Sequence, residues 1–379
     1  MEFRDLKRQY QSLSADIDKE IKNVIGSANF IMGKPVMDLE EQLAQYVGTK
    51  HCITCANGTD ALVLALKALG VKEGDAVFVP DFTFFASAEA VSVVGATPIF
   101  VDVDGDTFNI SVLDLQQKIV ATLHDGVLQP KVILTVDLFG LPADYAAIRA
   151  ISCKYALYIL EDGAQGFGGS INGLMACGFG DIATTSFFPS KPLGCYGDGG
   201  ALFTNNDEWA ELAKSYRSHG KGNFKYDNVR IGMNSRLDTL QAAILKVKLK
   251  AFAEYELKNI NDIAYEYTKC LKDIIHTPVV PEGFYSSWAQ YTIVLDDETT
   301  RNKVQNELKN KGIPTMVYYP KPLHKQTAYM HLQSYNDTMP VTENLCKTVL
   351  SLPISPYLEN IEVQEVVAAV CDAINIEVA

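Results

Sequence analysis

Lys191 is the residue of this sequence whose type and setting best suit nucleophilic chemistry. It lies in Thr185-Ser-Phe-Phe-Pro-Ser-Lys-Pro-Leu-Gly194, where an apolar segment runs into a turn rich in proline and glycine. Backbone can approach a ligand closely in such a turn. A lysine that is partly desolvated near other positive groups loses proton affinity and becomes a usable amine nucleophile. Most lysines are solvated surface charges, so Lys191 considered alone favours that ordinary interpretation.

A pair of acids ends a second apolar segment, Leu160-Glu-Asp-Gly-Ala-Gln165. A carboxylate at the tip of a buried strand is unfavourable unless it meets a cation or a hydrogen-bond donor. A protonated pyridine nitrogen would satisfy Asp162. A metal ion, a nucleotide ribose, or plain solvation of both acids at a bare strand end are the alternatives, and this segment alone leaves them open.

The segment Ala56-Asn-Gly-Thr-Asp-Ala61 joins a predicted strand to a predicted helix. Gly58 lets the backbone approach a ligand. We expect Thr59 and Asp60 to present free amide groups at the positive end of the helix, an arrangement typical of a phosphate site. The alternative is a simple helix N-cap at Asn57 or Thr59.

Together the three segments supply a phosphate site, an acid for a ring nitrogen and an amine for an aldehyde, which are the groups that pyridoxal phosphate requires. Other cofactors have less support. The sequence contains neither GxGxxG nor GxxxxGK[ST], the motifs of dinucleotide and P-loop sites. It also lacks HExxH or a cluster of His and Cys for a metal, and GxSxG for a serine hydrolase.

Short apolar strands alternate with helical patterns from residue 51 onward, which predicts a mainly parallel sheet with helices on both faces. Ligands of such sheets bind at the carboxyl ends of the strands, where the three segments lie. Two strands at 181–187 and 200–205 follow each other with little helix between them, so part of the sheet is expected to be antiparallel. The predicted strands are 51–56, 76–80, 98–102, 131–137 and 156–161, and the predicted helices are 59–69, 83–94, 111–122 and 143–153.

The C-terminal part of the chain is predicted to form a smaller α+β domain. A long helical stretch at 237–270 precedes strands at 289–295 and 314–319, a helix at 300–311 and a C-terminal helix. We therefore expect a large cofactor-binding domain at 1–250 and a small domain at 251–379. The large domain begins with two helical patterns, the second of which places Leu39, Leu43 and Val47 on one face.

Composition narrows the class of protein. The 379 residues are 47% hydrophobic and 21% charged, which suits a folded chain of two domains. The net charge of -13 opposes general binding to nucleic acid and to anionic membranes. We find no apolar run of membrane-spanning length and no signal peptide, so neither a nucleic acid nor a membrane is an expected partner.

The eight cysteines lack regular spacing, which favours a reduced cytoplasmic protein. Cys52 and Cys55 have CxxC spacing, but they lie in a predicted strand, where residues three apart point to opposite faces. No second CxxC completes a zinc site. We interpret both as ordinary buried thiols.

The order of motifs along nearly the whole chain resembles the DegT/DnrJ/EryC1/StrS family of sugar-nucleotide aminotransferases, within the fold-type I pyridoxal-phosphate enzymes. The resemblance rests on Phe3-Arg-Asp-Leu-Lys7, Phe30-Ile-Met-Gly33, Asn57-Gly-Thr-Asp-Ala-Leu62, Val79-Pro-Asp-Phe-Thr-Phe-Phe85, Glu161-Asp-Gly-Ala-Gln165, Ser186-Phe-Phe-Pro-Ser-Lys191, Gly232-Met-Asn-Ser-Arg-Leu-Asp238 and Tyr319-Pro-Lys-Pro-Leu-His324. It implies an α/β fold of that type and a cofactor that alternates between pyridoxal and pyridoxamine phosphate.

The resemblance also implies roles for individual residues. Lys191 is implied to be the Schiff-base lysine and Asp162 the partner of the pyridine nitrogen. Phe84 is implied to stack on the cofactor ring, with a core aromatic as the alternative, and Gln165 to contact the region of the ring hydroxyl. The residues implied to hold the phosphate are Gly58, Thr59, Asp60 and Ser186.

Asn234 is implied to reach the phosphate of the neighbouring subunit, which predicts a homodimer with composite sites. The alternative for Asn234 is a residue in the turn before a helix. The substrate-binding candidates are Arg236, Tyr318 and His324. Two departures stand out: many relatives have Ala at Gly163, which we expect to be harmless, and many have His where this chain has Tyr318, which puts a substrate contact of that histidine in doubt.

Within the family, the segments at 185–200 and 234–241 are most similar to enzymes that aminate the 3-keto carbon of a UDP-linked 2-acetamido hexuronic acid. Those enzymes use L-glutamate as the donor and serve surface-polysaccharide synthesis of the O-antigen type. Alternatives are another UDP- or dTDP-linked 3- or 4-keto-6-deoxyhexose, and a non-catalytic cofactor-binding regulator. A pyridoxamine-dependent sugar dehydratase would carry a histidine in place of Lys191, which argues against that activity.

Overall fold

The computed structural model describes residues 1–224, 226–335 and 338–374. Twelve strands are found in that part of the chain. They are β1 (His51–Cys55), β2 (Asp75–Pro80), β3 (Thr97–Val101), β4 (Gln129–Val136), β5 (Tyr158–Asp162), β6 (Ser170–Ile171), β7 (Leu174–Met175), β8 (Ile182–Ser186), β9 (Gly200–Thr204), β10 (Phe284–Tyr285), β11 (Tyr291–Val294) and β12 (Val349–Leu352).

Seven of these strands form one central sheet in the order β1-β9-β8-β5-β4-β2-β3. The strands β8, β5, β4, β2 and β3 run parallel to one another, whereas β9 is antiparallel to both of its neighbours, β1 and β8. The predicted mainly parallel sheet with an antiparallel part is therefore confirmed. Because β9 runs backwards, the carboxyl ends of β1 and β8 lie at the same edge as those of the parallel strands.

Twelve α-helices surround the sheet and continue beyond it in the described part of the chain. They are α1 (Leu6–Ser27), α2 (Lys34–Val47), α3 (Gly58–Ala68), α4 (Phe85–Val93), α5 (Val112–Asp125), α6 (Tyr145–Tyr155), α7 (Asp207–Tyr216), α8 (Thr239–Ala251), α9 (Leu257–Leu271), α10 (Glu298–Asn310), α11 (Pro340–Thr348) and α12 (Asn360–Ala373). The predicted stretch at 237–270 is two α-helices joined by the π-helical turn Phe252–Glu256.

Both faces of the sheet are covered by helices. Apolar residues of α3 and α4 pack on one face, around Val79, Leu134 and Leu160. Those of α5 and α6 pack on the other face, around Phe78 and Ile133. Alternation along each strand therefore supplies two cores, as expected for a sheet enclosed on both sides. None of the helices in the described part of the chain is long and apolar enough to cross a bilayer.

A separate core lies in the C-terminal part, where α9, α10 and α12 pack on the two-stranded sheet of β11 and β12. The segment between α10 and α11 does not belong to this core. Its residues Leu323, Tyr329 and Met339 pack on the core of the large sheet instead. This intervening segment therefore ties the C-terminal unit to the sheet edge that carries the predicted site.

The predicted strand at 314–319 is wrong. Only Met316 forms a bridge, to Ser351. The next residues turn away to pack Tyr318 and Tyr319 against the large core. The apolar residues of this segment contact two different cores, that of the large sheet and that of the C-terminal unit.

All eight cysteines are free, and Cys52 and Cys55 are buried in β1. Burial raises the pKa of the Cys55 thiol to about 12. A thiol with so high a pKa is a poor nucleophile and a poor metal ligand at neutral pH. The structure thus agrees with ordinary buried thiols.

Candidate active site

The three predicted segments meet at the carboxyl edge of the central sheet. A Cβ added at Gly58 would lie 2.7 Å from Cβ of Ser186, so the loop after β1 touches the end of β8. This close approach requires a glycine, since any side chain there would separate the two loops. The corner between them has backbone amides on one side and the Ser186 hydroxyl on the other.

The helix α3 begins at this corner, and its first turn differs from the expectation in one respect. The Asn57 side chain caps the helix by accepting a hydrogen bond of 2.8 Å from the Asp60 amide. The Asp60 amide is therefore not free for a ligand, which corrects that part of the prediction. Gly58 and Thr59 supply the remaining amides of a first turn that has no intrahelical acceptor for them. The corner remains suited to a phosphate, with fewer donors than predicted.

Asp162 ends β5 as a buried carboxylate that lacks a full complement of donors. Its Oδ2 accepts a hydrogen bond of 2.8 Å from the Ser87 hydroxyl, and its Oδ1 accepts one of 3.2 Å from the Ala164 amide. Burial raises its pKa, and the hydrogen bonds and the charge of Lys191 oppose that rise. A cation placed beside Asp162 would favour the charged carboxylate.

Glu161, the other acid of the pair, faces the opposite side of the strand. Its carboxylate accepts hydrogen bonds from the backbone amides of Phe179, at 2.7 Å, and Gly180, at 2.9 Å, and from that of Cys177. These amides lie in the loop before β8. Glu161 therefore holds this loop and is not available to a ligand.

Lys191 lies half-buried in the turn after β8. Its pKa is lowered, first by burial and then by the positive charge of Arg4, while Asp162 acts in the opposite direction. Arg4 reaches the turn from the N-terminal segment, where its Nη2 donates to the carbonyl of Pro192 at 3.3 Å. The environment expected for an amine nucleophile, desolvated and near another cation, is thus present.

Phe84 stands at the N-cap of α4 with 56% of its surface exposed, which excludes the alternative of a core aromatic. Its ring lies 6.3 Å from that of Tyr319. The Tyr319 hydroxyl accepts a hydrogen bond of 3.1 Å from Nε2 of Gln165, and Oε1 of the same side chain accepts one of 2.7 Å from the Phe139 amide. Gln165 is buried with both polar atoms engaged, so its predicted contact with a ring hydroxyl stays a prediction.

These features fit pyridoxal phosphate. An exposed aromatic face is placed for a ring, a buried carboxylate needs a cation, and a lysine with lowered pKa lies near that carboxylate. The corner of Gly58, Thr59 and Ser186 suits the phosphate. No group of three or more potential metal ligands is found among the residues described.

The three substrate-binding candidates have different environments. Tyr318 is half-buried, with its ring 6.2 Å from that of Phe3. His324 is only 6% exposed, and its Nδ1 lies 2.6 Å from Oδ2 of Asp81. A direct substrate contact by His324 therefore has no support in this structure, because the side chain is enclosed by protein.

Arg236 and Asn234 line a cleft of about 470 Å³ together with Ala56, Gly197 and Asp198. Arg236 donates to the Asn234 side-chain oxygen at 2.5 Å. No ion pair between Arg236 and Asp238 occurs in the part of the chain described. The two side chains face a cavity and form one unit.

Several residues of the site were not predicted. Arg4, Asp81 and Tyr319 lie inside motifs of the family resemblance but had no assigned role, and Ser87 lies outside those motifs. Ser87 is 75 residues from the carboxylate it binds, and Arg4 is 188 residues from Pro192. A buried acid at the end of β5 did signal the need for a nearby donor, but it could not indicate which residue provides it.

Residues 11–371 match the DegT/DnrJ/EryC1/StrS aminotransferase family. The chain belongs to this family. It is 44% identical over 370 residues to the UDP-2-acetamido-2-deoxy-3-oxo-D-glucuronate aminotransferase of Pseudomonas aeruginosa, covering 97% of this chain and 99% of that one. It is 38% identical over 367 residues to the UDP-N-acetyl-3-dehydro-alpha-D-glucosamine 3-aminotransferase of Acidithiobacillus ferrooxidans, covering 97% and 96%.

Solved structures agree with this membership. A family aminotransferase from Brucella abortus superposes with a TM-score of 0.95 at 45% identity, covering 98% of this chain and 99% of that one. The Bacillus subtilis protein NtdA, solved with its cofactor PMP bound, superposes with a TM-score of 0.87 at 29% identity, covering 96% and 82%. The predicted fold type, aminotransferase class and pyridoxal-phosphate cofactor are therefore confirmed.

Proposed function

We propose that this enzyme transfers the amino group of L-glutamate to the 3-keto carbon of a UDP-linked 2-acetamido-2-deoxy hexuronic acid. The observation that carries the amino-transfer chemistry is Lys191, half-buried with a lowered pKa beside the buried Asp162. The choice of sugar is supported by the name of the relative that is 44% identical. Surface-polysaccharide synthesis of the O-antigen type, in the cytoplasm, is the role that such a substrate suggests.

Each site residue has a role that its environment supports. When bound, the cofactor supplies an electron sink for breaking the Cα–H bond of the donor. Lys191 would hold the cofactor aldehyde and would then move the proton, a role that the lowered pKa of its amine favours. Asp162 keeps a ring nitrogen protonated. Gly58, Thr59 and Ser186 bind the phosphate, and Phe84 covers the ring.

We further propose a homodimer in which Asn234 completes the partner's phosphate site. Asn234 is exposed and follows a loop with large exposed apolar side chains, of which Phe224 is 75% and Ile231 is 86% exposed. Exposed apolar side chains clustered in one loop favour burial at a protein interface. Ser235 also accepts a hydrogen bond of 3.1 Å from the Ala56 amide, which links this segment to the phosphate loop of its own chain.

Arg236 is the proposed ligand of the uronate carboxylate. Its guanidinium lines the cleft beside Asn234, and among the residues described its hydrogen-bond acceptor is a neutral amide oxygen. Arginine binds a carboxylate in a planar, bidentate manner that a lysine cannot reproduce. A sugar with a 6-hydroxyl group offers no such partner, and the relative from Acidithiobacillus ferrooxidans is named for a substrate of that kind.

The first experiment separates an aminotransferase from a cofactor-binding regulator. The visible absorbance of the holoenzyme should be lost when L-glutamate is added, and it should return when a UDP-linked 3-keto hexuronate is supplied. NMR of the product then locates the new amine among a panel of UDP- and dTDP-linked keto sugars. Holoenzyme whose spectrum does not respond to glutamate would contradict amino transfer.

The Arg236→Lys variant tests the uronate. Losing a charge-assisted contact costs roughly 1.5–3 kcal/mol, or about one to two decades in catalytic efficiency. We expect that loss with the UDP-linked 3-keto hexuronate, a much smaller one with its 6-hydroxy counterpart, and little change in the reaction with glutamate. Equal losses on both sugars would assign Arg236 to the dimer or the diphosphate instead.

A further inference from the structure

Asp81 and His324 form a buried pair at the edge of the site. Asp81 directly follows β2 and is 1% exposed, and His324 is 6% exposed. The Asp81 carboxylate holds His324 twice: Oδ1 accepts a hydrogen bond of 2.7 Å from its backbone amide, and Oδ2 lies 2.6 Å from its Nδ1. The Leu323 amide adds a third contact, donating to the Asp81 carbonyl at 3.2 Å.

Two further charged residues, Glu343 and Lys325, lie beside this pair. Nε2 of His324 lies 3.4 Å from Oε1 of Glu343, and Glu343 in turn pairs with Lys325 at 2.6 Å. Burial raises the pKa of Asp81, and its hydrogen bond with His324 opposes that rise. Removing one partner of such a pair leaves the other buried and unsatisfied. The pair is therefore a fixed connection between β2 and the segment around His324.

Asp81 and His324 lie close in sequence to Phe84 and Tyr319, the two aromatic side chains of the site. Asp81 is followed by Phe82, whose ring lies 6.1 Å from that of Tyr319 in an edge-to-face contact, and then by Phe84, at 6.3 Å from Tyr319. His324 lies five residues after Tyr319 in the same segment. The pair thus joins the loop that carries Phe84 to the segment that carries Tyr319.

A second, separate contact holds the same part of the chain. Asp102, after β3, accepts hydrogen bonds from the amides of Val341, at 3.0 Å, and Thr342, at 2.8 Å, at the start of α11. Docking of this part of the chain on the sheet therefore does not depend on His324 alone. A variant of the Asp81–His324 pair can be expected to fold, with altered placement of Tyr319.

We propose that Asp81 and His324 are positioning residues that hold Tyr319 and Phe84 in register, and that His324 acts on the reaction through this contact and not as a substrate ligand. The inference builds on the proposed function, which puts the cofactor ring against Phe84, beside Tyr319. It assigns the placement of these two aromatic rings to a pair outside the ring pocket. A misplacement of about 1 Å in such a pocket can slow a reaction about 100-fold.

The test uses His324→Ala, Asp81→Asn and the conservative His324→Asn, which keeps an N–H donor at the position of Nδ1. Holoenzymes are compared by visible circular dichroism of the bound cofactor, by the dissociation constant of pyridoxal phosphate from apoprotein, and by the rates with glutamate and with the keto sugar. His276→Ala is the matched control, since it removes a histidine from an exposed pair with Asp106 at 3.5 Å.

We expect His324→Ala and Asp81→Asn to change the dichroism and to slow the reaction with glutamate roughly 10- to 100-fold, with partial recovery in His324→Asn. His276→Ala should match the parent enzyme. Unchanged dichroism with a loss confined to the keto sugar would mean that His324 binds substrate, and unchanged behaviour throughout would mean that the pair has no positioning role; either result overturns the proposal. Because dichroism and cofactor affinity do not require amino transfer, they test the pair even if the proposed substrates fail.

Discussion

Burial has opposite effects on the two central ionisable groups of the site. It disfavours the charged form of each, so it lowers the pKa of Lys191 and raises that of Asp162. Their mutual attraction opposes both shifts. A ring nitrogen that carries a proton would take over from Lys191 as the cation beside Asp162, leaving the amine neutral. Asp162 is therefore suited to pair with a protonated ring nitrogen, and Lys191 is suited to act as the amine beside it.

Replacing Lys191 by alanine should abolish turnover and leave non-covalent binding of pyridoxal phosphate. The phosphate corner and Asp162 remain in the variant, so affinity should fall without vanishing. Equilibrium dialysis of the apoprotein and a single-turnover assay with glutamate measure the two effects. Transamination at the parental rate in Lys191→Ala would refute the assignment of this lysine.

Asp162→Ala should lose most activity and keep its fold, because no other residue described at the end of β5 can hold a proton on the ring. The urea midpoint of the apoprotein checks the fold, and the rate with glutamate checks the chemistry. Ser87→Ala is compared with Asp162→Ala as a milder change at the same carboxylate. It removes one neutral donor to Asp162, and a contact of that kind is worth about 1–3 kcal/mol when a buried acceptor loses it. Kinetics of Asp162→Ala close to those of the parent would move the ring-nitrogen role to another residue.

At the scale of elements, the junction between α3 and β8 is the part of the site most sensitive to size. Gly58→Ala would place a methyl group 2.7 Å from Cβ of Ser186 and force the two loops apart. We expect its affinity for pyridoxal phosphate to fall at least tenfold, which corresponds to about 1.4 kcal/mol. Fluorescence titration of the apoprotein with cofactor measures this change.

Asn57→Ala is the comparison at the same junction. It removes the cap on Asp60, which should cost about 1 kcal/mol of stability, yet it leaves the contact between Gly58 and Ser186. We expect a lower urea midpoint with a smaller change in cofactor affinity than in Gly58→Ala. The reverse order of affinities would mean that the cap, and not the close approach, shapes the phosphate corner.

At the scale of the whole molecule, the composite site predicts complementation between subunits. Lys191→Ala and Asn234→Ala should each be nearly inactive alone, and co-expression should give mixed dimers with one of two sites intact. Activity of purified, differently tagged mixed dimers should approach half of the parental value. Mixed dimers without recovered activity, after subunit exchange has been verified, would exclude a role for Asn234 in the partner's site.

A buried lysine outside the site makes the stability of the whole fold depend on pH. Lys248 is 1% exposed in α8, and burial lowers its pKa to about 8, with Glu256 acting in the opposite direction. The unfolded chain binds this proton more tightly, since the ordinary lysine pKa is 10.5. Between these values the unfolded state carries more protons, so this residue makes stability rise with pH in that window.

Lys248→Met removes this dependence. The difference in unfolding free energy between parent and Lys248→Met should shift in favour of the parent from pH 8 to pH 10, by at most about 1.4 kcal/mol per pH unit. Below pH 8 the difference should be constant, because Lys248 is protonated in both states. Urea denaturation of the two apoproteins across this range supplies the measurement. A difference that does not vary with pH would show that Lys248 is fully charged in the fold throughout.

The parts of the fold that depend on near neighbours in the chain could be predicted from the sequence. Short apolar runs that alternate with helical patterns indicated the strands of the central sheet, and the Asn57-Gly-Thr segment indicated a helix start at a ligand site. The chemistry of Lys191 and Asp162 followed from their residue types at the ends of apolar segments, and the order of motifs indicated the family. Apart from the order of motifs, which is read along the whole chain, each of these signals lies within a few residues, where propensity, capping and periodicity act.

Only the tertiary structure decided which distant groups satisfy one another. The donor to Asp162, the partner of His324 and the cation near Lys191 come from residues 75, 243 and 187 positions away, counting Arg4 to Lys191 in the last case. The segment 314–319 was predicted as a strand, yet Met316 alone forms a bridge there, and Tyr318 and Tyr319 pack on the core of the large sheet. Partners of this kind are selected by how whole elements pack and by which buried polar groups remain unsatisfied, and neither is a property of a local stretch of sequence.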